Sequence, residues 1–189
     1  MDKIDEKINK FISLLKERTI NPIDNTDIKE SCTATLLLIF AAIDSLGKIT
    51  CDDKDYKPLK NKNWKGNNKR FTDFLENVMG NEYLKFKDAI YDLRNDIVHT
   101  GINTKVIFSK SQHDNKHLQK VNGYLWINTR QFLDDFKKAI EQINIDIKNK
   151  GRYFKNAMNR LKEFNIIELD EQQDMATPSP GPDDSPFQL

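Results

Sequence analysis

Apolar residues recur every three or four positions at the start of the chain, on a background of charged and polar residues. Between Asp2 and about Arg18 they form a single stripe: Ile4, Ile8, Phe11, Ile12 and Leu15. This spacing predicts an amphipathic helix with one buried face. Asn21-Pro22 is expected to end the helix, because the residue before a proline is disfavoured in the helical conformation.

A second helix is predicted from near Asp27 to Leu46. Asp27 and Glu30 stand three residues apart, as in a capping box, and Gly47 is expected to be the C-cap. From Thr33 to Leu46 the residues are apolar on nearly all sides. Because such a helix has no polar face for water, we expect it to be the central and most buried one.

Residues 48–70 are predicted to form a loop, with eight basic and three acidic residues and with Tyr56 and Trp64 between them. A short helix that ends at Gly80 is expected next, and its apolar side is Phe71, Phe74, Leu75 and Val78. A fourth helix is predicted from about Asn81 to His99. Its expected core residues are Phe86, Ile90, Leu93 and Ile97.

The pattern then changes to one typical of β-strands. Residues 105–108 and 121–127 predict two short strands, joined as a small hairpin by a polar loop. A fifth helix is predicted from about Arg130 to Asn149, before Gly151, and its inward residues are Phe132, Phe136, Ile140, Ile143 and Ile147. A shorter sixth helix carries Phe154, Ala157 and Leu161. The predicted fold class is all-α, a bundle of five to six helices with a small β-hairpin insertion.

Length and charge indicate one domain followed by a tail. The 189 residues suit a single well-cored domain. From Glu163 onward the chain has seven acidic residues and no Lys or Arg, which leaves 30 basic and 22 acidic residues in 1–162. The body is therefore basic, as is compatible with a nucleic-acid partner. We interpret 1–169 as the helical domain and 170–189 as a disordered acidic, Pro-rich tail.

The sequence favours a cytoplasmic protein that does not enter a membrane. The longest apolar run, Leu36 to Ile43, has eight residues, whereas a membrane-spanning helix needs about 20. The charged N-terminus lacks the apolar core of a secretory signal. Cys32 falls in a predicted helix and Cys51 in a predicted loop, and a reduced pair is favoured over a disulfide.

The fourth helix ends in Arg94-Asn95-Asp96-Ile97-Val98-His99. Here the chain resembles the HEPN superfamily, whose signature is an Arg, usually followed by a polar residue, and a His after four to six intervening positions at a helix end. Arg94, Asn95 and His99 match this signature with four intervening residues. The resemblance covers roughly residues 1–165, although the hairpin at 104–127 does not correspond to the common core of the family.

The resemblance implies RNA cleavage without a metal or other cofactor. The ribose 2′-hydroxyl would attack the adjacent phosphorus and give a 2′,3′-cyclic phosphate and a 5′-hydroxyl. His99 would be the general base or acid, Arg94 would neutralise charge on the phosphoryl oxygens, and Asn95 would hold the phosphate or the imidazole. The implied protein is a toxin or defence nuclease, with RNA as substrate and an antitoxin or defence-system protein as partner. The alternative is a non-catalytic HEPN-like module that binds a partner protein or RNA.

Helix geometry predicts how the motif residues are arranged. At 100° per residue, Asp88, Asp92, Asn95 and His99 lie within about 60° of one another, whereas Arg94 points about 140° away from His99. The two can act on one phosphate if the helix loosens near His99, or if a second chain contributes. The sequence therefore predicts a homodimer through this helix, with apolar contacts from Tyr91 and Val98.

Three further features of the sequence have simpler interpretations than a functional site. His113 and His117 lie four residues apart, but without a third ligand a solvated loop is favoured over a metal site. Asp44 stands among apolar residues and should have a partner, for which Arg94 is one candidate. The basic loop with Tyr56 and Trp64 could bind RNA, although a solvated loop is favoured. A nucleotide- or zinc-dependent enzyme is disfavoured, because the sequence has no phosphate-binding glycine loop or metal motif.

Overall fold

Helices account for most of the residues that the computed structural model describes, which are 3–25, 31–51, 66–101, 105–111 and 115–163. In chain order the elements are α1 (Lys3–Leu15), a π-helical turn (Lys16–Ile20), α2 (Asn21–Asn25), α3 (Cys32–Thr50), α4 (Gly66–Phe74), a second π-helical turn (Leu75–Met79), α5 (Asn81–Leu84), α6 (Lys87–His99), β1 (Val106–Ser109), β2 (Gln119–Val121), β3 (Tyr124–Asn128), α7 (Thr129–Lys148) and α8 (Phe154–Glu163). The prediction of a mainly helical fold is therefore confirmed.

The predicted end of the first helix at Asn21-Pro22 is wrong, because helical conformation continues through these residues to Asn25. The π-helical turn Lys16–Ile20 comes directly before them, and Pro22 is the second residue of α2. A proline is tolerated in the first turn of a helix, where its missing N–H is not needed. Of the predicted stripe, Ile8 is buried, and Phe11 and Ile12 are partly buried against the core.

Both predicted ends of the second helix are wrong. The helix α3 begins at Cys32, where the Ser31 hydroxyl accepts a hydrogen bond from the Ala34 N–H at 3.3 Å, and Asp27 lies outside the described residues. At the other end α3 continues through Gly47 to Thr50. A Cβ at Gly47 would lie 3.0 Å from the Arg70 carbonyl oxygen. This glycine is therefore a close contact between α3 and α4 and not a cap.

The central position of α3 is confirmed. Ten of its residues are buried: Thr35, Leu36, Ile39, Phe40, Ala42, Ile43, Leu46, Gly47, Ile49 and Thr50. By length and composition alone, α3 is the one helix among the described residues that could cross a membrane. Half of it is buried inside the bundle, and the core helix of a soluble protein passes the same test, so the finding is weak support for a membrane location.

The two cysteines lie at opposite ends of α3, about 28 Å apart at 1.5 Å per residue. Both are free thiols, so the predicted reduced pair is confirmed. The Cys51 thiol is buried and donates to the Asp73 carboxylate at 3.3 Å. Burial and then Asp73 raise the pKa of this thiol to about 11, so it remains protonated at neutral pH.

The segment from α4 to α6 agrees with its apolar pattern but not with its predicted bounds. The ends of the predicted loop 48–70 belong to α3 and α4, and residues 52–65, including Tyr56 and Trp64, lie outside the described residues. The predicted short helix is confirmed, with Gly80 at its end in a left-handed conformation (φ 118°). The predicted helix 81–99 is two helices, because Phe86 leaves the helical region (φ −119°, ψ 2°). Nothing in the apolar pattern marks this break.

The small sheet has three strands in the order β1-β3-β2, so the predicted two-stranded hairpin is wrong. The strand β2 pairs antiparallel with β3 across Asn122 and Gly123, which both have positive φ (52° and 83°). An Asn-Gly pair with this geometry favours a two-residue hairpin turn, and it divides the predicted strand 121–127. The strand β1 pairs in parallel with the other side of β3.

The last two helices follow their predicted patterns. The Asn128 carboxamide caps α7 by accepting from the N–H groups of Arg130 and Gln131. All five predicted inward residues of α7 are buried. In α8, Ala157 is buried and Phe154 is partly buried against the core. The segment 164–189 lies outside the described residues, so the disordered tail stays a prediction.

Candidate active site

The helix α6 is fixed to the bundle by its apolar face. Ile90, Leu93 and Ile97 are buried, and the Tyr91 ring contacts the edge of Phe71 with centroids 5.6 Å apart. The opposite face includes the predicted polar stripe, in which Asp88, Asp92 and His99 are exposed and Asn95 is partly buried. Packing of the apolar face therefore presents most of this stripe to solvent.

Arg94 is held between two neighbours. Its Nε and Nη2 atoms donate to Asp44 Oδ2 of α3, at 3.1 and 2.5 Å, and its Nη1 atom donates to Asn95 Oδ1 at 3.0 Å. The partnership of Asp44 with Arg94, considered from the sequence, is confirmed. A guanidinium has five N–H donors. These three bonds therefore leave one N–H on each terminal nitrogen for a further acceptor.

His99 is exposed at the C-terminal end of α6. The helix stays regular through His99, since the N–H groups of Thr100 and Gly101 both donate to the Asp96 carbonyl, at 2.9 and 3.1 Å. Gly101 has φ 68°, which is the usual left-handed end of a helix. The loosening that would bring Arg94 and His99 together is therefore not present. Among the described residues, no hydrogen bond or ion pair joins their side chains.

A cleft of about 290 Å³ separates α6 from the sheet. Its polar lining comes from Asp92, Asn95 and Asp96 on α6 and from Lys105 and Lys120 on the sheet side. Asn95 thus connects Arg94 with the cleft, because its side-chain carbonyl oxygen accepts from Arg94 and the residue also lines the cleft. Two carboxylates oppose two ammonium groups, so the cleft is close to neutral.

A buried polar chain lies behind the sheet, and it was not predicted from the sequence. The His117 Nδ1 atom accepts from the Asn128 N–H at 3.2 Å, which places the proton of a neutral imidazole on Nε2. His117 Nε2 is 3.1 Å from the Tyr83 hydroxyl, which donates to Asp135 Oδ2 at 3.0 Å. Gln131 and Lys138 donate to Asp135 Oδ1. Each polar atom in this chain has a partner of the right kind.

The interpretation of His117 as part of a solvated loop is therefore wrong, since its side chain is only 11% exposed. One sequence signal was available. Asp135 lies three residues after Phe132 and directly before Phe136, within the apolar face of α7. A carboxylate in that position requires a buried donor. The sequence does not indicate that the donor is Tyr83, 52 positions earlier.

Burial changes the acid–base properties of this polar chain. Burial and then the Asp135 charge raise the pKa of the Tyr83 hydroxyl, so it remains a donor at any physiological pH. Burial lowers the pKa of the His117 imidazole, and the Asp135 carboxylate opposes this shift only in part. A second proton on His117 would also point an Nδ1–H at the Asn128 N–H. The native structure therefore favours the neutral imidazole.

This preference predicts that the free energy of unfolding decreases in acid. The unfolded His117 has a pKa near 6.5, and the native pKa is lower. The contribution to stability is thus fully present above about pH 6.5 and is lost as the pH falls through the native pKa. In urea unfolding at pH 7, 6 and 5, the free energy of unfolding should decrease less between pH 7 and pH 5 for His117→Gln than for the wild type. Equal decreases would assign the acid sensitivity to other groups.

Metal ligation has no support from the described residues, in which no three His, Cys, Asp or Glu side chains are grouped to hold an ion. His113, the proposed companion of His117, lies outside them. Comparison of the chain with protein-family models, with curated proteins and with solved structures finds no match. The function is therefore inferred from the motif and its geometry.

Proposed function

We propose that this protein is a metal-independent endoribonuclease of the HEPN type. The observation that carries the proposal is the arrangement of the motif at the end of α6. Arg94 is held by Asp44 and Asn95 with two N–H groups left to bind, and His99 is exposed at the last position of the helix. A fixed guanidinium and an accessible imidazole are the groups that phosphodiester cleavage by a 2′-hydroxyl requires.

In this proposal His99 removes the proton from the ribose 2′-hydroxyl, or donates one to the departing 5′-oxygen. The attacking oxygen forms a bond to phosphorus while the bond to the 5′-oxygen breaks. The remaining N–H groups of Arg94 bind the phosphoryl oxygens, where negative charge increases in the transition state. Asn95 orients the guanidinium through its carbonyl oxygen. The products are a 2′,3′-cyclic phosphate and a 5′-hydroxyl, and no metal takes part.

The reaction needs a proton acceptor and a proton donor, and one motif offers a single imidazole. Because α6 is regular through His99, Arg94 and His99 of one chain point to different sides. We therefore propose a twofold dimer in which two copies of α6 share one substrate cleft. Val98, which is 45% exposed beside His99, supplies an apolar contact for such an interface. In a cell this nuclease would be a toxin or defence enzyme restrained by a partner protein.

One observation favours the alternative, a non-catalytic module that binds a protein or RNA through the same face. Asp44 takes two of the Arg94 donors, as it would if the pair only tied α6 to α3. The ion pair is partly exposed, with side chains 18% and 29% accessible, so its contribution to stability is modest. The two functions differ in whether purified protein cuts RNA.

The test is incubation of purified protein with an end-labelled RNA in the presence of EDTA. We expect cleavage, with a cyclic phosphate on the 5′ fragment and a free 5′-hydroxyl on the 3′ fragment. The matched control is the same RNA with a single 2′-deoxyribose at the mapped cleavage position, which should stay intact there. Absence of cleavage over a range of RNA sequences, or cleavage that EDTA abolishes, would reject this mechanism and favour the binding module.

A further inference from the structure

The small sheet has one face on the bundle and one face directed away from it. Leu125 and Ile127 of β3 are 3% and 0% exposed and pack into the core. Because side chains alternate along a strand, Tyr124 and Trp126 lie on the opposite face. The pairing of the strands adds Ile107, Gln119 and Val121 to this outer face.

Tyr124 is unusual among the aromatic residues of the described chain, because it alone is exposed, with 44% of its surface accessible. It follows the Asn122-Gly123 turn and begins the central strand of the sheet. The outer face also carries Lys116, whose Nζ atom lies 4.4 Å from the centre of the Trp126 ring. An accessible aromatic ring and a cation thus occupy the same side of the sheet.

The charge of the sheet has a single sign. Its described segments, 105–111 and 115–128, contain no Asp or Glu and four exposed lysines: Lys105, Lys110, Lys116 and Lys120. Asp92 and Asp96 line the cleft opposite Lys105 and Lys120 and offset part of this charge. Lys110 and Lys116 do not line the cleft. The α6 carboxylates that line the cleft therefore face two of these four lysines, Lys105 and Lys120.

We propose that the outer face of the sheet binds single-stranded RNA, with one base stacked on Tyr124 and a backbone phosphate near Lys116. Basic surfaces with accessible aromatic rings bind single strands in this way, because every base offers a flat face. A duplex keeps its bases stacked on one another and gains only the charge interaction. The choice of RNA over DNA rests on the proposed ribonuclease function.

The position of this surface suits a substrate path. Gly123, directly before Tyr124, lines the cleft that also contains Asn95 of the motif. A strand stacked on Tyr124 would therefore lie next to the cleft that Asn95 of the motif lines. On this view the sheet selects unpaired RNA and delivers it to Arg94 and His99.

The test measures binding of a fluorescent 12-nucleotide oligouridylate by anisotropy, with His99→Ala in every chain so that the RNA stays intact. We expect Tyr124→Ala to weaken binding by roughly 5- to 100-fold, and Tyr124→Phe, which keeps the ring, to bind as the parent does. Lys116→Ala should lower the salt dependence of binding by about 0.7 in logarithmic slope. Lys155→Ala, on α8, is the matched charge control and should leave both affinity and slope unchanged.

Several outcomes would overturn the inference. In the first, the protein does not bind the oligouridylate, or Tyr124→Ala leaves its affinity unchanged. In the second, a duplex of equal length competes as well as the single strand. In the third, Lys155→Ala lowers the affinity as much as Lys116→Ala does. Thermal unfolding of each variant by circular dichroism checks the fold, and Tyr124→Leu replaces Tyr124→Ala if the alanine variant is unfolded. Binding without cleavage in the wild type would reject the nuclease and keep the RNA surface. If the wild type cleaves RNA but Tyr124→Ala binds it as tightly as the parent does, the nuclease is kept and the RNA surface on the sheet is rejected.

Discussion

Mixed dimers of Arg94→Ala and His99→Ala chains are expected to cut RNA faster than either variant alone but more slowly than the wild type, because the shared cleft keeps one imidazole and one guanidinium. Each substitution should lower the cleavage rate by roughly 10²- to 10⁴-fold, which is the usual contribution of a positioned acid–base or charge-stabilising group. In a shared cleft, the first chain still supplies His99 and the second still supplies Arg94. If instead each chain had a separate complete site, the mixed dimer would lack one group in both sites.

The experiment needs dimers of known composition. The two variants are coexpressed with different affinity tags, purified through both tags in succession, and compared with each variant alone and with doubly tagged wild type. Arg130→Ala, which removes an exposed arginine at the start of α7, is the matched control and should keep full activity. Mixed dimers that are as inactive as their parents, or a wild type that is active as a monomer at micromolar concentration, would contradict the shared cleft.

Asp135→Ala is expected to lower the free energy of unfolding by about 2–4 kcal/mol. The Asp135 carboxylate accepts from Tyr83, Gln131 and Lys138, and its side chain is only 10% exposed. Its removal leaves the Tyr83 hydroxyl, within a fully buried residue, without its acceptor. A buried donor without a partner retains its desolvation cost, so the loss exceeds that of an exposed ion pair.

The adjacent residue offers a control on the same helix. Asp134 is exposed, so Asp134→Ala makes the same chemical change to α7 without altering the buried polar chain. Urea unfolding at pH 7 should place this variant within about 0.5 kcal/mol of the wild type. If the two alanine variants lose equal stability, the loss comes from the changed charge or helix propensity of α7 and not from the polar chain behind the sheet.

Periodicity predicted the helices well where one face decides the fold. The five inward residues of α7 are all buried, because an apolar stripe on one face of a helix is removed from water only when that face packs on the core. Helix ends were less predictable, since they depend on distant neighbours. Gly47 looks like a cap in the sequence, yet its role is set by Arg70 on another helix. The pairing of β1 with β3 was likewise not predictable, because the local sequence pattern of a strand does not indicate which strand it pairs with.

The candidate site shows the same division between local and distant contacts. Helical spacing alone predicted that Asp92 and His99 share a polar stripe and that Arg94 lies on another side of α6. The apolar neighbours of Asp44 made it a candidate partner of Arg94. His117 was misinterpreted because its neighbours in sequence are polar, whereas its neighbours in space are Tyr83, Phe132 and Asp135. The need for a partner is therefore predicted from sequence where a titratable group has apolar neighbours along the chain, as at Asp44, and is missed where those neighbours are polar, as at His117.

The parallel pairing of β1 has a consequence for self-association. This strand forms one edge of the sheet and is strongly apolar, with Val106, Ile107 and Phe108 in succession. Apolar edge strands are templates on which other chains can add, and this leads to aggregation. Here β1 has only four residues, and the exposed Lys105 and Lys110 flank it. Two chains that pair at this edge would bring like charges together at both ends, so the lysines disfavour association through β1.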